Sequence, residues 1–205
     1  SSTIFGHSNA ENTISVGAVR YDRTPAFGFS PPIREVFSSV GGTEILFDKA
    51  GNRITPEVRL KPDVSAPQGT NTTFFGFDYE GDGFPNFFGT SASAPHAAAL
   101  GALMIEAQGN TMVNSDNIEN IIEATAIDMV DPYRPGSDTG YDFSTGAGLV
   151  NSVAAINEVF SSRVVQKVRL TSMCSSEPDL ERRWRVRNPN PFDIAVNYNV
   201  YKSGI

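Results

Sequence analysis

Hydrophobic and polar positions along this chain change period several times, and each change marks an element. Residues 13–19 (Thr-Ile-Ser-Val-Gly-Ala-Val) are a short apolar run of the kind that forms a strand in a mostly buried sheet. Residues 44–47 and 53–59, separated by Asp48-Lys49-Ala50-Gly51-Asn52, read as a β-hairpin with turn residues at its tip. Val64 to Ala66 is another short strand, ended by Pro67. From Ser91 to about Gln108 the chain is alanine-rich and apolar on most faces, a buried helix stopped by Gly109-Asn110. Asn114-Ser115 cap a second helix that places Ile118, Ile121 and Ile122 on one face. A third helix follows the glycine-rich loop, near residues 151–160. This succession of strands, crossovers and helices suits half of a doubly wound α/β sheet.

After about residue 161 the texture changes to separate alternating runs. Val164, Gln166, Val168 and Leu170 share one side of a run, with Val165, Lys167 and Arg169 on the other. Trp184 and Val186 alternate with Arg183, Arg185 and Arg187, a strand with a charged, solvated outer face. Asn188-Pro189-Asn190-Pro191 is a turn signal, and Ile194, Val196, Tyr198 and Val200 alternate beyond it. The expected organisation is therefore an α/β region over residues 1–160 and a small antiparallel, sandwich-like β module over 161–205. Three strands make that module thin.

Composition narrows the classes of function. The 205 residues carry a formal charge of −7, with 40% hydrophobic and 19% charged residues, which is the balance of a globular protein. That acidity argues against a nucleic-acid footprint. No stretch approaches the ~20 apolar residues of a membrane span. Ser-Ser-Thr opens the chain with neither methionine nor a basic leader, so any signal peptide is expected outside it. The single cysteine, Cys174, forms no internal disulfide. Asn71-Thr72-Thr73 matches a glycosylation acceptor, a triplet too common to carry weight.

The chemistry concentrates in Phe88-Gly89-Thr90-Ser91-Ala92-Ser93-Ala94-Pro95-His96, at the start of the alanine-rich helix. A nucleophilic serine needs an exposed hydroxyl, a base for its proton and donors for an oxyanion. Small neighbours keep space open around Ser91, Gly89 permits close approach of a substrate, and a helix start offers the Ser91 N–H. Thr and Ser are also ordinary helix caps, so Gly-Thr-Ser alone carries little. The nine-residue tract resembles the nucleophile signature of subtilisin-like serine peptidases. Further segments resemble that family in the family's order: Thr13-Ile14-Ser15-Val16-Gly17-Ala18-Val19, Phe37-Ser38-Ser39-Val40-Gly41, Lys61-Pro62-Asp63-Val64-Ser65-Ala66-Pro67 and Gly146-Ala147-Gly148-Leu149-Val150-Asn151.

The resemblance implies the C-terminal part of a doubly wound, mostly parallel subtilisin-like sheet, followed by the β module. It implies a secreted serine endopeptidase that works through an acyl-enzyme, with Ser91 as nucleophile and the Ser91 N–H in the oxyanion hole. Ile4, Phe5, Gly89 and Thr90 are implied as lining of the substrate pocket, for a peptide or protein substrate. The family's His-Gly-Thr base motif, its early aspartate and its oxyanion asparagine have no match here, and residue 1 is expected to fall shortly after that asparagine. The partner implied is the rest of the peptidase domain, and the chain by itself is expected to be inactive. Neither histidine fits the base: His96 lies five positions after Ser91, about 140° around a helix, and His7 sits in a polar loop. No cofactor is required, although Asp78, Glu80 and Asp82 in the long loop expected over residues 69–88, spaced by two and followed by Gly83, match the opening of a calcium loop. Gly89 stands where an EF-hand places its glutamate, and a solvated turn has the same composition. The other class of function is a non-catalytic binding module on a subtilase-like scaffold.

Overall fold

The computed structural model describes residues 2–74, 76–108, 115–134, 139–161, 169–173 and 183–189. Strands β1 (Val16–Arg20), β2 (Glu44–Phe47), β3 (Arg53–Val58), β4 (Val64–Gln68), β5 (Thr70–Asn71) and β6 (Asn86–Phe87) precede helix α1 (Thr90–Gln108). Helices α2 (Ser115–Ala124) and α3 (Ser152–Ser161) follow, then strands β7 (Arg169–Met173) and β8 (Arg183–Arg187).

β1 and β4 pair in parallel, Val16 opposite Val64 and Arg20 opposite Gln68. A parallel bridge from Ser65 to Leu149 and an antiparallel one from Leu149 to Ile127 extend the sheet on one side, and Arg34 bridges to Val19 on the other. The expected α/β architecture is thus present. β1 starts three residues later than the apolar run predicts, because the Ser15 amide is bonded to the Asp63 carboxylate at 2.5 Å and leaves the ladder. β4 does not stop at Pro67. Ser65 exchanges bonds with Gly148 and Val150 at 2.8 and 2.9 Å, and backbone groups alternate sides along a strand. The missing N–H of Pro67 therefore points past the end of that neighbour, where no ladder bond is lost.

The hairpin forms as predicted, closed by Asp48, whose carboxylate accepts the N–H groups of Ala50 and Asn52 at 2.9 and 2.8 Å. Residues 69–88, expected as an open loop, are instead tied into a ribbon by antiparallel β5 and β6. The described part of the tail is one antiparallel pair, Leu170 opposite Val186. The rest of the run from Val164 and the strand expected from Ile194 lie outside the described residues, as do the turn at Gly109-Asn110 and the cap at Asn114.

The sheet is buried on both faces. Along β1, Val16 faces one way and Val19 the other, as period two requires. On the first side Val64, Leu100, Met104, Ala107, Ile122, Ala155 and Val159 form the main core, joining β4 to all three helices. Val19, Met129 and Leu149 form a smaller cluster, with Ile127 packed against it. α1 lies on β1, β4 and α3, which sets the height of its N-terminus relative to the sheet. Arg34 and Asp131, at 3.3 Å and almost wholly buried, pin the far edge.

Met104 is fully buried at the centre of the main core. Met104→Ala is expected to cost about 2–5 kcal/mol by cavity creation, read as a lower urea midpoint. An unchanged midpoint would mean α1 is not seated as described.

Candidate active site

Ser91 stands on the first turn of α1, and the chain before it is held by polar side chains that are themselves buried. Gly89 has φ +100°, backbone that a residue with a Cβ adopts only under strain. Its N–H donates to Oε1 of Gln68 at 2.9 Å, and Gln68 is 1% exposed at the end of β4. Asn86, equally buried, donates to the Gly69 carbonyl, to Asn71 and to Glu80, and accepts the Tyr79 amide. The Gly89 carbonyl takes the amides of Ala92 and Ser93 at 2.9 and 3.3 Å. Among the described residues the hydroxyl and amide of Ser91 have no partner, and its side chain is exposed. An orphan amide at a helix N-terminus suits a developing negative charge. Pro95 has no N–H to offer the Ser91 carbonyl. His96 bonds through Nδ1 to the Ala92 carbonyl at 2.7 Å, which keeps it on its own helix in the structural role expected of it.

Beside Ser91 lies a cavity of about 620 Å³. Thr3, Ile4, Phe5, His7 and Ser8 form one wall, Thr13–Val16 a second, with Ser39 and Pro62 between them and Thr90, Ser91 and Ala94 at the helix end. The structure places Ile4, Phe5 and Thr90 along the same cavity as Ser91. Gly89 shapes the turn but does not line the cavity. Ile4 is buried and holds the wall through its amide to the Val40 carbonyl at 3.0 Å, whereas Phe5 is 75% exposed. Gly41 must be glycine: a Cβ there would lie 1.5 Å from the Lys61 carbonyl oxygen.

Behind the second wall sits an ionic cluster. The buried Lys61 ammonium donates to the Thr13 carbonyl at 2.6 Å and to Asp63 Oδ1 at 2.7 Å, and lies 3.8 Å from Glu119 Oε1. Asp63 Oδ2 accepts the Ser15 amide. Partial burial, aided by the hydrogen bond and charge of Asp63, pushes the Glu119 carboxyl up to about 7. Burial and Asp63 also push Glu123 up, and burial raises the Tyr141 phenol. Three carboxylates converge here, but Lys61 is already their cation.

Asp78, Glu80 and Asp82 also converge, their oxygens within 4.8 Å of one another. Donors already serve them: the amides of Gly81, Asp82 and Gly83 on Asp78, Tyr21 and Asn86 on Glu80, and Asn71 on Asp82. A divalent ion would have to displace several of these bonds. Gln68, Asn86 and the burial of Lys61 were not legible in the sequence. The only signal was a polar residue closing an apolar strand, which any strand end shows.

A family model described as the Subtilase family matches residues 1–148. Bacillopeptidase F of Bacillus subtilis (strain 168) is 35% identical over 127 residues, 59% of this chain and 8% of that protein. An extracellular serine protease of Serratia marcescens is 27% identical over 147 residues, 72% of this chain and 12% of that protein. The chain thus spans about a tenth of these relatives. Among solved structures, the CspB protease of Clostridium perfringens shares the fold with a TM-score of 0.53 at 22% identity, over 77% of this chain and 29% of that one. Fervidolysin from Fervidobacterium pennivorans does so with a TM-score of 0.50 at 19% identity, over 90% and 27%. Among the described residues no helix is long and apolar enough to cross a membrane.

Glu119 binds a proton more tightly folded than unfolded, so its contribution to stability is complete below pH 4.5 and lost as pH rises through about 7. A series of thermal midpoints against pH is expected to fall across that window, and Glu119→Gln to flatten the fall. Parallel curves for the two proteins would contradict the placement of Glu119.

Proposed function

We propose, from the premise that this chain belongs to the subtilase family of serine peptidases, that it carries the nucleophile of a secreted endopeptidase whose remaining catalytic groups lie outside these 205 residues. The observation that carries the reading is Ser91: an exposed hydroxyl and an unpaired amide on one helix end, facing a cavity. In the intact enzyme the Ser91 oxygen attacks the scissile carbonyl as its proton passes to a histidine, oriented by an aspartate; the histidine gives that proton to the leaving amine as the C–N bond breaks, which leaves an acyl-enzyme. The Ser91 N–H donates to the carbonyl oxygen as negative charge develops there. Ile4, Phe5 and Thr90 border the space where substrate side chains would enter. Water then attacks the acyl carbon while the histidine takes a proton from it and passes that proton to the Ser91 oxygen, which leaves as the acid product is released.

Support for a completing partner comes from the outer side of α1, where Ala98, Ala99, Ala102, Leu103 and Ile105 are exposed. Exposed apolar residues along one helix, interrupted by Glu106, suit a surface that another element covers. The sequence offers only two histidines, and His96 is engaged on its own helix. His7, exposed on a short 3-10 turn over Gly6–Asn9, lines the cavity. Secretion is supported by the name of the Serratia relative, an extracellular serine protease. A cation at Asp78, Glu80 and Asp82 is not needed by this mechanism.

The 205-residue chain alone is expected to hydrolyse no peptide and to take no fluorophosphonate on serine, while Ser91→Ala in the full-length protein removes activity by at least about 10³-fold. Stoichiometric labelling of the isolated chain would show that the base lies within it, making His7 the residue to change. Full activity in the Ser91→Ala protein would favour a non-catalytic role for this region.

A further inference from the structure

We propose that Lys61 is a positioning residue for the substrate pocket, and that the proton on Glu119 decides how firmly Lys61 holds the pocket wall. This rests on reading the cavity beside Ser91 as the place where substrate binds. Lys61 and Asp63 grip the backbone of the lining itself. Lys61 holds the Thr13 carbonyl at 2.6 Å and Asp63 holds the Ser15 amide at 2.5 Å. Thr13, Ile14 and Ser15 all line the cavity, as does Pro62, which sits between the two ionic residues in sequence. The pair is joined at 2.7 Å with both side chains less than 5% exposed, so little solvent competes for it.

One ammonium serves three carboxylates, those of Asp63, Glu119 and Glu123, which leaves two charges unbalanced when all are ionised. Protonated Glu119 shares a hydrogen bond with Asp63 and leaves the ammonium to Asp63 and Thr13. Ionised Glu119 repels Asp63 and attracts the same ammonium from 3.8 Å, drawing it toward α2 and away from the Thr13 carbonyl. The carboxyl makes this change near neutrality, pushed up by burial and Asp63 against the pull of Lys61. Glu123 adds to the push from its own helix, and Tyr141 with Asp142 borders the cluster from the loop that follows. Glu106 of α1 and Glu158 of α3 are exposed. Lys61 thereby couples the protonation of a helix-borne carboxyl to the width of the pocket.

The test uses the full-length peptidase, with kcat and KM for a peptide substrate followed across neutral pH. KM of the unaltered enzyme is expected to rise severalfold as pH passes about 7, while Glu119→Gln holds the low-pH KM throughout. Lys61→Met is expected to raise KM roughly tenfold with little change in kcat, and Lys61→Arg to recover part of the loss. In the 205-residue chain, the carbon-13 shift of the Thr13 carbonyl is expected to follow the Glu119 titration, a readout that needs no catalysis and survives if Lys61→Met does not fold. A KM inflection that persists in Glu119→Gln overturns the proposal, as does a Thr13 shift that ignores Glu119. Calcium that raises the thermal midpoint of the unaltered chain but not of Glu119→Gln overturns it too, by making the cluster a metal site. A full-length Ser91→Ala protein that keeps its activity would remove the catalytic reading instead and leave the Thr13 result standing.

Discussion

One strand, Val64 to Gln68, buried at every position but the half-buried Pro67, holds both sides of the candidate site. At the entrance to β4, Lys61 and Asp63 fasten the Thr13–Ser15 wall; at its exit, Gln68 fastens Gly89 two residues before Ser91. The strand between is clamped by β1 on one edge and by Leu149 on the other. A one-residue slip in the β1–β4 register would turn Val64 out of the core and carry Gln68 away from Gly89, since side chains alternate faces. Core packing and site geometry are therefore one constraint.

The helix that bears Ser91 owes its position to the same strand. Leu100 and Met104 pack on Val64 in the main core, so the sheet fixes the axis of α1 while the Gln68 bond fixes where its first turn begins. Among the described residues of α1, the Ser91 hydroxyl and amide are unpaired at the helix end, the Ser93 hydroxyl is buried without a partner, and a row of alanines with Leu103 and Ile105 lies exposed along the outer face. A polar group left free at the surface is inexpensive because water serves it. An apolar row left in water is not, and it gives the helix a second packing surface.

The sequence made α1 legible through its unbroken alanine-rich run, and the hairpin through Asp48 to Asn52. The motif around Ser91 was legible because small residues, a glycine and a proline occur at fixed spacing. Strand limits were less so. The start of β1 was misplaced because Ser15 gives its amide to a carboxylate 48 positions away, a long-range competition that no local pattern records. Pro67 read as a stop because its neighbour's end is a tertiary fact. Residues 69–88 read as a loop because two-residue strands carry no period. Lys61 and Glu119 were hidden for a related reason: a charge looks exposed in a sequence until its buried partner is known.

Ser91 as nucleophile is the central claim, and the direct measurement is the site of covalent modification in the full-length protein. After reaction with a fluorophosphonate, peptide mass spectrometry is expected to place one adduct on the peptide containing Ser91 and none elsewhere. An adduct on a different serine in a fully active preparation, with Ser91 unmodified, would contradict it.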